Sequence, residues 1–325
     1  MNSNYIAPKW LLGGNAQTIY PYFLNPSSHV AFRRERWELD DGDFVDIDWL
    51  EGALNKPLVV MFHGLEGNSR SHYALSMMNQ LREQNWRGAV IHFRGCSGQP
   101  NRLPRAYHAG DSMEIDWMLR RVLHQCESQK SGMPFYVIGI SLGGNALLKW
   151  LGEQGGQINK LITAAVAVSA PLDLAAAGKA LDSGFNQFYT RHFLSSLKRK
   201  ALEKHKRFPG LLDAKAVAAS ATLYEFDNHV TAPLHGFRDA DEYWSKSSSK
   251  PWLQHIQVPT LVINARNDPF MPAHVLPTQE KVSPMVILEF PEQGGHVGFM
   301  QGIFPGQLRW LPQRIIEFFK RYEYL

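Results

Sequence analysis

The sequence predicts an α/β fold in which a mostly parallel sheet carries helices on both faces. Short apolar runs, such as Leu58–Phe62 and Phe135–Ile140, alternate with segments whose apolar residues recur at helical spacing. Strands without polar positions are buried on both faces, which is typical of parallel sheets covered by helices. With 44% hydrophobic residues among 325, the chain can form a large core.

The first stretch of chain is irregular, and the sheet begins with a hairpin. Residues 1–30 contain prolines and glycines that interrupt any periodicity, so neither a helix nor a strand is predicted there. Arg33–Leu39 and Phe44–Leu50 flank an Asp-Asp-Gly-Asp turn, which predicts an antiparallel hairpin at the edge of the sheet. Further strands are predicted at 58–62, 89–93, 135–140, 161–168, 260–264 and 286–290. Helices are predicted at 73–84, 113–126 and 313–322, and residues 146–151 lie in another predicted helix over 142–154.

One long segment breaks this alternation. From Pro171 to Trp252 the sequence has helical stretches and loops but no strand pattern. About 80 residues are too many for a simple loop between two strands of one domain. We therefore predict a single domain over residues 1–325 with a mainly helical insertion at 171–252, which we call the cap.

The pentapeptide Gly139-Ile140-Ser141-Leu142-Gly143 lies where a predicted strand meets a predicted helix. A G-x-S-x-G at such a corner is typical of a nucleophile elbow, in which a strained serine exposes its Oγ. The glycines are needed because a Cβ there would collide with the neighbouring strand and helix. Five residues of this kind also recur by chance, so the partners along the chain decide what the pattern means.

Candidate partners follow Ser141 in the order acid, then histidine, that such sites use. Asp268 lies in the turn after the strand at 260–264, and His296 follows the last strand and two glycines that turn the backbone sharply. A serine hydroxyl needs a base, and the base needs an orienting carboxylate. Taken singly, Asp268 could cap a turn and His296 could be structural. Three rival acids in the cap are Asp227, Asp239 and Asp241.

Acyl transfer also needs donors for the charge that develops on the substrate oxygen. The expected donors are the backbone N–H groups of Leu142, directly after the serine, and of Leu65, in the loop after the strand at 58–62. We interpret His63 in that loop as a packing residue of the oxyanion wall, with proton transfer or substrate binding as the alternatives.

The cap has more apolar residues than a solvated loop needs, and it also carries a basic cluster. Its aromatic side chains are expected to line an apolar acyl pocket, or else to fix the cap to the sheet. The aromatic residues in question are Phe185, Phe188 and Phe193. A basic cluster predicts a solvated helix face or, alternatively, weak peripheral contact with an anionic membrane. It consists of Lys198, Arg199, Lys200, Lys204, Lys206 and Arg207.

Composition narrows the classes of partner. A net charge of +4 without a basic stripe interleaved with aromatics makes nucleic acid an unexpected partner. The sequence has no run of about 18 apolar residues, so no transmembrane helix is predicted. The first residues lack signal-peptide features, and we therefore expect a cytoplasmic protein. Neither a metal nor a cofactor motif is present, and none is expected to bind. A disulfide between Cys96 and Cys126 is not expected, and the oligomeric state is not predicted.

Several strings of residues are similar to motifs of one known family. They are Gly13-Gly14-Asn15-Ala16-Gln17-Thr18-Ile19, His63-Gly64-Leu65-Glu66-Gly67, Ser71-His72-Tyr73, Phe93-Arg94-Gly95-Cys96-Ser97-Gly98, Tyr107-His108-Ala109-Gly110, the elbow with Gly144-Asn145, and Asn267-Asp268-Pro269-Phe270. With these strings the sequence resembles, over nearly its whole length, the YheT-like branch of the α/β-hydrolases, which is related to animal abhydrolase-domain proteins that act on lipids and esters.

The resemblance implies an α/β-hydrolase fold and a serine carboxylic ester hydrolase that works without a cofactor. Its implied substrates are small-molecule acyl esters of short to medium chain length, or acylglycerol-like lipids. Two alternatives stay open. One is a thioesterase or amidase that uses the same three residues, and the other is a non-catalytic binding protein on the same scaffold.

Overall fold

Eight strands form one sheet in the computed structural model, which describes residues 5–23, 30–128 and 133–323, without the side chains of 126–128. Cys126 therefore lies outside the described side chains. The strands are β1 (Arg33–Glu38), β2 (Phe44–Leu50), β3 (Leu58–Phe62), β4 (Arg87–Ile91), β5 (Phe135–Ile140), β6 (Ala164–Val168), β7 (Thr260–Ile263) and β8 (Val286–Glu289). Their order across the sheet is β1-β2-β4-β3-β5-β6-β7-β8.

The sheet is parallel except at one edge. β1 pairs with β2, and β2 with β4, in antiparallel orientation, whereas every pair from β4 to β8 is parallel. The register places Phe62 of β3 beside Gly139 of β5, and Ile140 beside Val168 of β6. The carboxyl ends of the central strands therefore meet at one edge. The mostly parallel sheet with a hairpin at its side confirms the predicted fold class.

Helices cover both faces of the sheet. They are α1 (Gly14–Phe23), α2 (His72–Glu83), α3 (Ser112–Ser128), α4 (Leu142–Gln154), α5 (Leu174–Leu181), α6 (Gln187–Arg207), α7 (Ala214–Ala219), α8 (Leu223–Phe226), α9 (Ala232–His235), α10 (Ala240–Ser247) and α11 (Trp310–Lys320). Successive residues of a strand point to opposite faces. Val60 accordingly packs in a buried cluster with Met118 of α3 and Leu147 of α4, and Val59 in a second cluster with residues of α2 and α11.

Several predicted boundaries differ from the structure, and β4, β6 and α11 are among the larger differences. β4 begins and ends two residues earlier than predicted, and Gly88, which the prediction left out, is its second residue. A Cβ on Gly88 would lie 2.6 Å from the Sδ of Met78, so the glycine lets α2 pack closely on β4. β6 begins late because the N–H of Leu161 still closes a turn with the oxygen of Ile158. α11 begins early because Pro312 lies in its first turn, where no N–H is needed.

α1 lies within the residues that we expected to be irregular, and for residues 14–23 that prediction was wrong. Of the same stretch, residues 1–4 and 24–29 lie outside the described chain. The sequence gives no helical signal because the segment contains Gly14 and Pro21. Its support comes from far along the chain. A Cβ on Gly14 would lie 1.9 Å from the backbone oxygen of Asn267, and Gln17 is buried. Tertiary contacts here outweigh local propensity.

The insertion at 171–252, all of which is described, consists of α5 to α10 and short helical turns without a strand. It has a small core of its own, formed by Leu194, Ala201, Leu212, Val217, Phe226 and Val230. Asn145, one turn after Ser141, fixes the insertion to α4. Its Nδ2 donates to the backbone oxygens of Ala109 at 2.9 Å and of Ser247 at 2.7 Å. No helix in the described ranges is both long and apolar enough to cross a membrane.

Candidate active site

Ser141 lies at the sharp corner between β5 and α4. Its backbone has φ 51° and ψ −119°, which a residue other than glycine adopts only where the surrounding structure enforces it. A Cβ on Gly139 would lie 2.6 Å from the Cα of Gly144, and a Cβ on Gly143 would lie 2.5 Å from the backbone oxygen of His63. Close packing of the strand, loop and helix therefore requires both glycines of the motif.

His296 bridges Ser141 and Asp268. Its Nε2 lies 2.9 Å from Ser141 Oγ, and its Nδ1 lies 2.9 Å from Asp268 Oδ2 and 3.2 Å from Oδ1. Because an ionised carboxylate only accepts, the Nδ1 proton points to Asp268 and the lone pair of Nε2 faces the serine hydroxyl. Phe270 fixes both groups: its N–H donates to Asp268 at 2.8 Å, and its ring stacks on the imidazole at 4.1 Å. The structure thus brings together the serine, acid and histidine that the sequence singled out.

The rival acids of the cap make other contacts. Asp227 accepts the indole N–H of Trp244 at 2.7 Å. Asp239 caps the start of α10, and Asp241 accepts the hydroxyl of Tyr224 at 2.8 Å. The carboxylate hydrogen-bonded to the imidazole is that of Asp268.

Two hydroxyl groups hold the backbone on either side of the imidazole. The Oγ1 of Thr18 in α1 accepts the N–H of His296 at 2.8 Å and donates to the backbone oxygen of Gly14 at 2.7 Å. The Oγ of Ser169, just after β6, accepts the N–H of Val297 at 3.0 Å. Val297 has a positive φ of 58°, which is costly for a β-branched residue. The histidine loop is therefore held in place from α1 and from the end of the sheet.

The side chain of Gln17, buried in α1, joins the acid turn to the histidine loop. Its Oε1 accepts the N–H of Gly294 at 2.8 Å and the Nδ2 of Asn267 at 2.9 Å. Asn267 in turn accepts the N–H of Gly295 at 3.0 Å through its Oδ1. We did not identify these amides as functional residues. The available signal was the string Gln17-Thr18-Ile19, which belongs to the family resemblance but carried no role.

The loop at 63–67 lies against Ser141. A Cβ on Gly64 would be 3.1 Å from the Cβ of Ser141. The backbone N–H groups of Leu65 and Leu142 donate no hydrogen bond within the described residues. Unengaged N–H groups next to a nucleophile are what an oxyanion hole requires, so both expected donors are available.

His63 lies entirely within the wall behind this loop and has no exposed surface. Its Nε2 accepts the N–H of Phe93 at 3.1 Å, and its Nδ1 donates to the backbone oxygen of Gly64 at 2.7 Å. Burial lowers the pKa of His63 to about 3, so the imidazole is neutral. With both ring nitrogens engaged, His63 is placed as a packing residue and not as a substrate contact.

The three aromatic residues of the cap lie at different depths. Phe193 is partly buried, and its ring lies 6.0 Å from that of Phe270, which stacks on the imidazole. Phe185 and Phe188 are 58% and 55% exposed and contact Tyr189. Of the three, Phe193 is therefore the residue that contacts the ring stacked on the imidazole, and the other two lie at the surface.

The basic cluster in the cap is solvated only in part: Arg199, Lys206 and Arg207 are exposed, but most of the cluster also hydrogen-bonds to neighbouring parts of the chain. Lys200 donates to Glu66 of the 63–67 loop at 2.8 Å, and Lys204 donates to the Oδ1 of Asn101 at 2.8 Å. Arg207 donates to the backbone oxygen of Asn101 at 2.8 Å, and Lys198 to that of Ala218 at 2.8 Å. These cations fix α6 to neighbouring parts of the chain.

An imidazole that bridges a hydroxyl and a carboxylate, beside two unengaged N–H groups, has the parts needed for nucleophilic catalysis by serine. Across the described residues, no three His, Cys, Asp or Glu side chains lie close enough together to hold a metal ion.

A family model described as alpha/beta hydrolase fold matches residues 57–303. The chain belongs to the α/β-hydrolase family. It is similar to YheT of Escherichia coli (strain K12), named as an esterase, with 37% identity over 99% of this chain and 94% of YheT. Phospholipase ABHD3 of Mus musculus is 28% identical over 98% of this chain and 78% of ABHD3. The solved structure of the Pyrococcus furiosus esterase Pf2001 matches with a TM-score of 0.57 and 16% identity, over 90% of this chain and 94% of that one.

For this α/β-hydrolase, the predicted resemblance to the YheT-like branch and the predicted fold are both confirmed. The match to Pf2001 bears on the fold alone, because so low an identity leaves the chemistry open.

Proposed function

We propose that this α/β-hydrolase is a serine carboxylic ester hydrolase in which Ser141 is the nucleophile, His296 the base and Asp268 the orienting acid. The observation that carries the proposal is the continuous row of hydrogen bonds from Ser141 Oγ through His296 to Asp268, with contacts of 2.9 Å on both sides of the imidazole. Similarity to proteins named as an esterase and a phospholipase supports the hydrolysis of ester bonds. The proposed substrates are short- to medium-chain acyl esters, including acylglycerol-like lipids.

In the first half of the reaction, Ser141 Oγ attacks the ester carbonyl carbon while His296 Nε2 takes the hydroxyl proton. The N–H groups of Leu65 and Leu142 donate to the oxygen on which negative charge develops. The imidazolium, stabilised by Asp268, then gives its proton to the departing alcohol, and the acyl group stays on Ser141. In the second half, His296 takes a proton from water as the water oxygen attacks the acyl carbon. The imidazolium then returns this proton to Ser141 Oγ as the bond between Oγ and the acyl carbon breaks, and the carboxylic acid leaves.

The direct test is Ser141→Ala, with Ser195→Ala as a control because Ser195 is an exposed serine of α6. Ester hydrolysis should fall by about 10³-fold or more in Ser141→Ala and stay unchanged in the control, because loss of the nucleophile removes the covalent route. A fluorophosphonate should label Ser141 of the unaltered protein and not of the Ser141→Ala variant. Retention of more than about a tenth of the activity would exclude Ser141 as the nucleophile.

The substrate class needs a separate measurement. A panel of acyl esters of graded chain length, with a thioester and an anilide of matched acyl group, should give the highest kcat/KM for the esters. A thioester or anilide that is turned over faster would assign the same three residues to a different bond. Labelling of Ser141 without turnover of any member would leave the ester substrates proposed here unsupported.

A further inference from the structure

Glu66 lies in the 63–67 loop in a conformation that needs support. Its φ is 56°, in the left-handed region that non-glycine residues rarely occupy. The loop turns tightly, with the N–H of Gly67 donating to the oxygen of Gly64 at 2.9 Å. Glu66 directly follows Leu65, whose N–H is the proposed donor to the oxyanion. The Leu65–Glu66 peptide, which Glu66 holds, is therefore adjacent to the peptide that carries the proposed oxyanion donor.

The carboxylate of Glu66 is held by the cap. Its Oε1 accepts from Lys200 Nζ at 2.8 Å, and its Oε2 accepts from the hydroxyl of Ser196. Ser196 and Lys200 lie four positions apart in α6 and therefore on one face of that helix. The Glu66 side chain is 13% exposed and that of Lys200 is 33% exposed, so solvent screens this pair less than a pair on the open surface.

Tyr107 connects the same carboxylate to the loop backbone. Its hydroxyl donates to Glu66 Oε1 at 2.9 Å and accepts the N–H of Glu66 at 2.9 Å. The side chain and the backbone of Glu66 are thus locked to one phenol, and the carboxylate is locked to α6. A shift of α6 therefore pulls on the carboxylate and, through Tyr107, on the peptide next to Leu65.

We propose that Glu66 is a positioning residue that couples the seating of α6, through Lys200 and Ser196, to the alignment of the Leu65 oxyanion donor. The expected effect on kcat rests on the proposed function. The contact between α6 and the 63–67 loop rests on the hydrogen bonds given above. The coupling gives the cap a role in the rate of the chemical step, in addition to any role in substrate choice. Hydrogen bonds to charged groups are roughly twice as strong as neutral ones, so the charge of Glu66 strengthens its contacts with α6.

The experiment compares Glu66→Gln and Lys200→Met with the control variant Glu203→Gln. The control makes the same glutamate-to-glutamine change in an ion pair on α6, since the exposed Glu203 lies 3.9 Å from Arg199. Removal of one oxyanion donor costs about 10²- to 10³-fold in kcat, and misalignment should cost part of this. We expect kcat to fall about 10- to 100-fold in both variants, with KM within about twofold, and no change in Glu203→Gln. Lys200→Arg should restore most of kcat, because it keeps the charge.

Two further measurements separate coupling from general destabilisation. Hydrogen–deuterium exchange of a peptide covering residues 63–68 should be faster in Glu66→Gln and Lys200→Met than in the unaltered protein. In the double variant Glu66→Gln/Lys200→Met, kcat should be close to that of either single variant, since both changes break the same contact.

Several results would overturn the coupling. They are a kcat in Glu66→Gln above half that of the unaltered protein, an effect of Glu66→Gln that Lys200→Met does not share, or unchanged exchange of the 63–68 peptide in Lys200→Met. The failure of the proposed function would look different. The unaltered protein would then hydrolyse no ester, while the exchange measurement alone would support or refute the contact between α6 and the loop.

Discussion

Replacing Thr18 by valine should lower turnover by loosening the backbone that carries the imidazole. Valine keeps the shape and the β-branching of threonine but lacks the Oγ1 that accepts the His296 N–H at 2.8 Å and donates to Gly14 at 2.7 Å. The change leaves the N–H of His296 without its acceptor, at the residue that contacts both Ser141 and Asp268. The side chains of the three proposed catalytic residues stay intact.

The expected magnitude follows from these two hydrogen bonds. An N–H left unsatisfied in a partly buried position costs about 1–3 kcal/mol, which the loop can avoid only by moving toward another acceptor. A displacement of about 1 Å at a catalytic group can cost about 10²-fold in rate. We therefore expect kcat to fall about 10- to 100-fold, the free energy of unfolding to fall by about 1–2 kcal/mol, and KM to change little.

The assay is steady-state hydrolysis of a soluble acyl ester together with chemical denaturation of each variant. Thr18→Ser should recover most of kcat, because serine restores the hydroxyl. Thr260→Val is the matched control, since Thr260 is a buried threonine whose Oγ1 donates to Val258 at 2.8 Å at the opposite end of β7 from the acid turn. It should lose stability without losing kcat. If Thr18→Val and Thr260→Val lose stability equally and both keep full kcat, α1 does not position the histidine.

Two further outcomes are expected. Burial raises the pKa of Asp227 in the folded protein to about 6, above its value in the unfolded chain. The protonated carboxyl group therefore contributes to the free energy of unfolding in full below about pH 4, and this contribution is lost as the pH rises through 6. The free energy of unfolding of Asp227→Asn, relative to that of the unaltered protein, should therefore rise by up to about 3 kcal/mol between pH 4 and 7 in denaturation experiments. Activity should stay within about twofold. A large loss of activity would make Asp227 a catalytic candidate again. Phe193→Ala should shift the preferred acyl length upward in the ester panel, because Phe193 contacts the ring stacked on His296. Phe185→Ala and Phe188→Ala should not change the preferred length. Equal shifts in all three variants would mean that the exposed rings also contact the acyl chain.

The parts of the fold that the sequence predicts well depend on local patterns. β5 is an apolar run of six residues, buried at every position, and the corner after it carries glycines that packing makes obligatory. The positions of Asp268 and His296 follow from the rule that residues after parallel strands gather at one edge. Their approach to Ser141 is then a consequence of strand order and needs no knowledge of individual contacts.

What the sequence does not reveal depends on contacts between distant residues. The Oε1 of Gln17 bonds to Asn267 and Gly294, which lie 250 and 277 positions away. No periodicity marks such a residue, and the glycine and proline of α1 point away from a helix. The depth of an aromatic side chain is equally hidden. Phe188 and Phe193 are alike in sequence terms, but one lies on the outer face of α6 and the other faces Phe270.

The two supports of the candidate site come from different parts of the chain. α1 holds the histidine through Thr18, and α6 holds the oxyanion loop through Glu66, while Ser141 is fixed by the sheet itself. Among the residues that the structure describes, the hydrogen-bond partners of Thr18 and those of Glu66 are different. A displacement of α6 would act on the 63–67 loop through Glu66, and on the base through Phe193, which contacts the Phe270 ring that stacks on His296. The hydrogen bond of Tyr189 in α6 to Asn15 in α1, at 3.0 Å, is a further connection between the cap and the helix that holds the histidine loop.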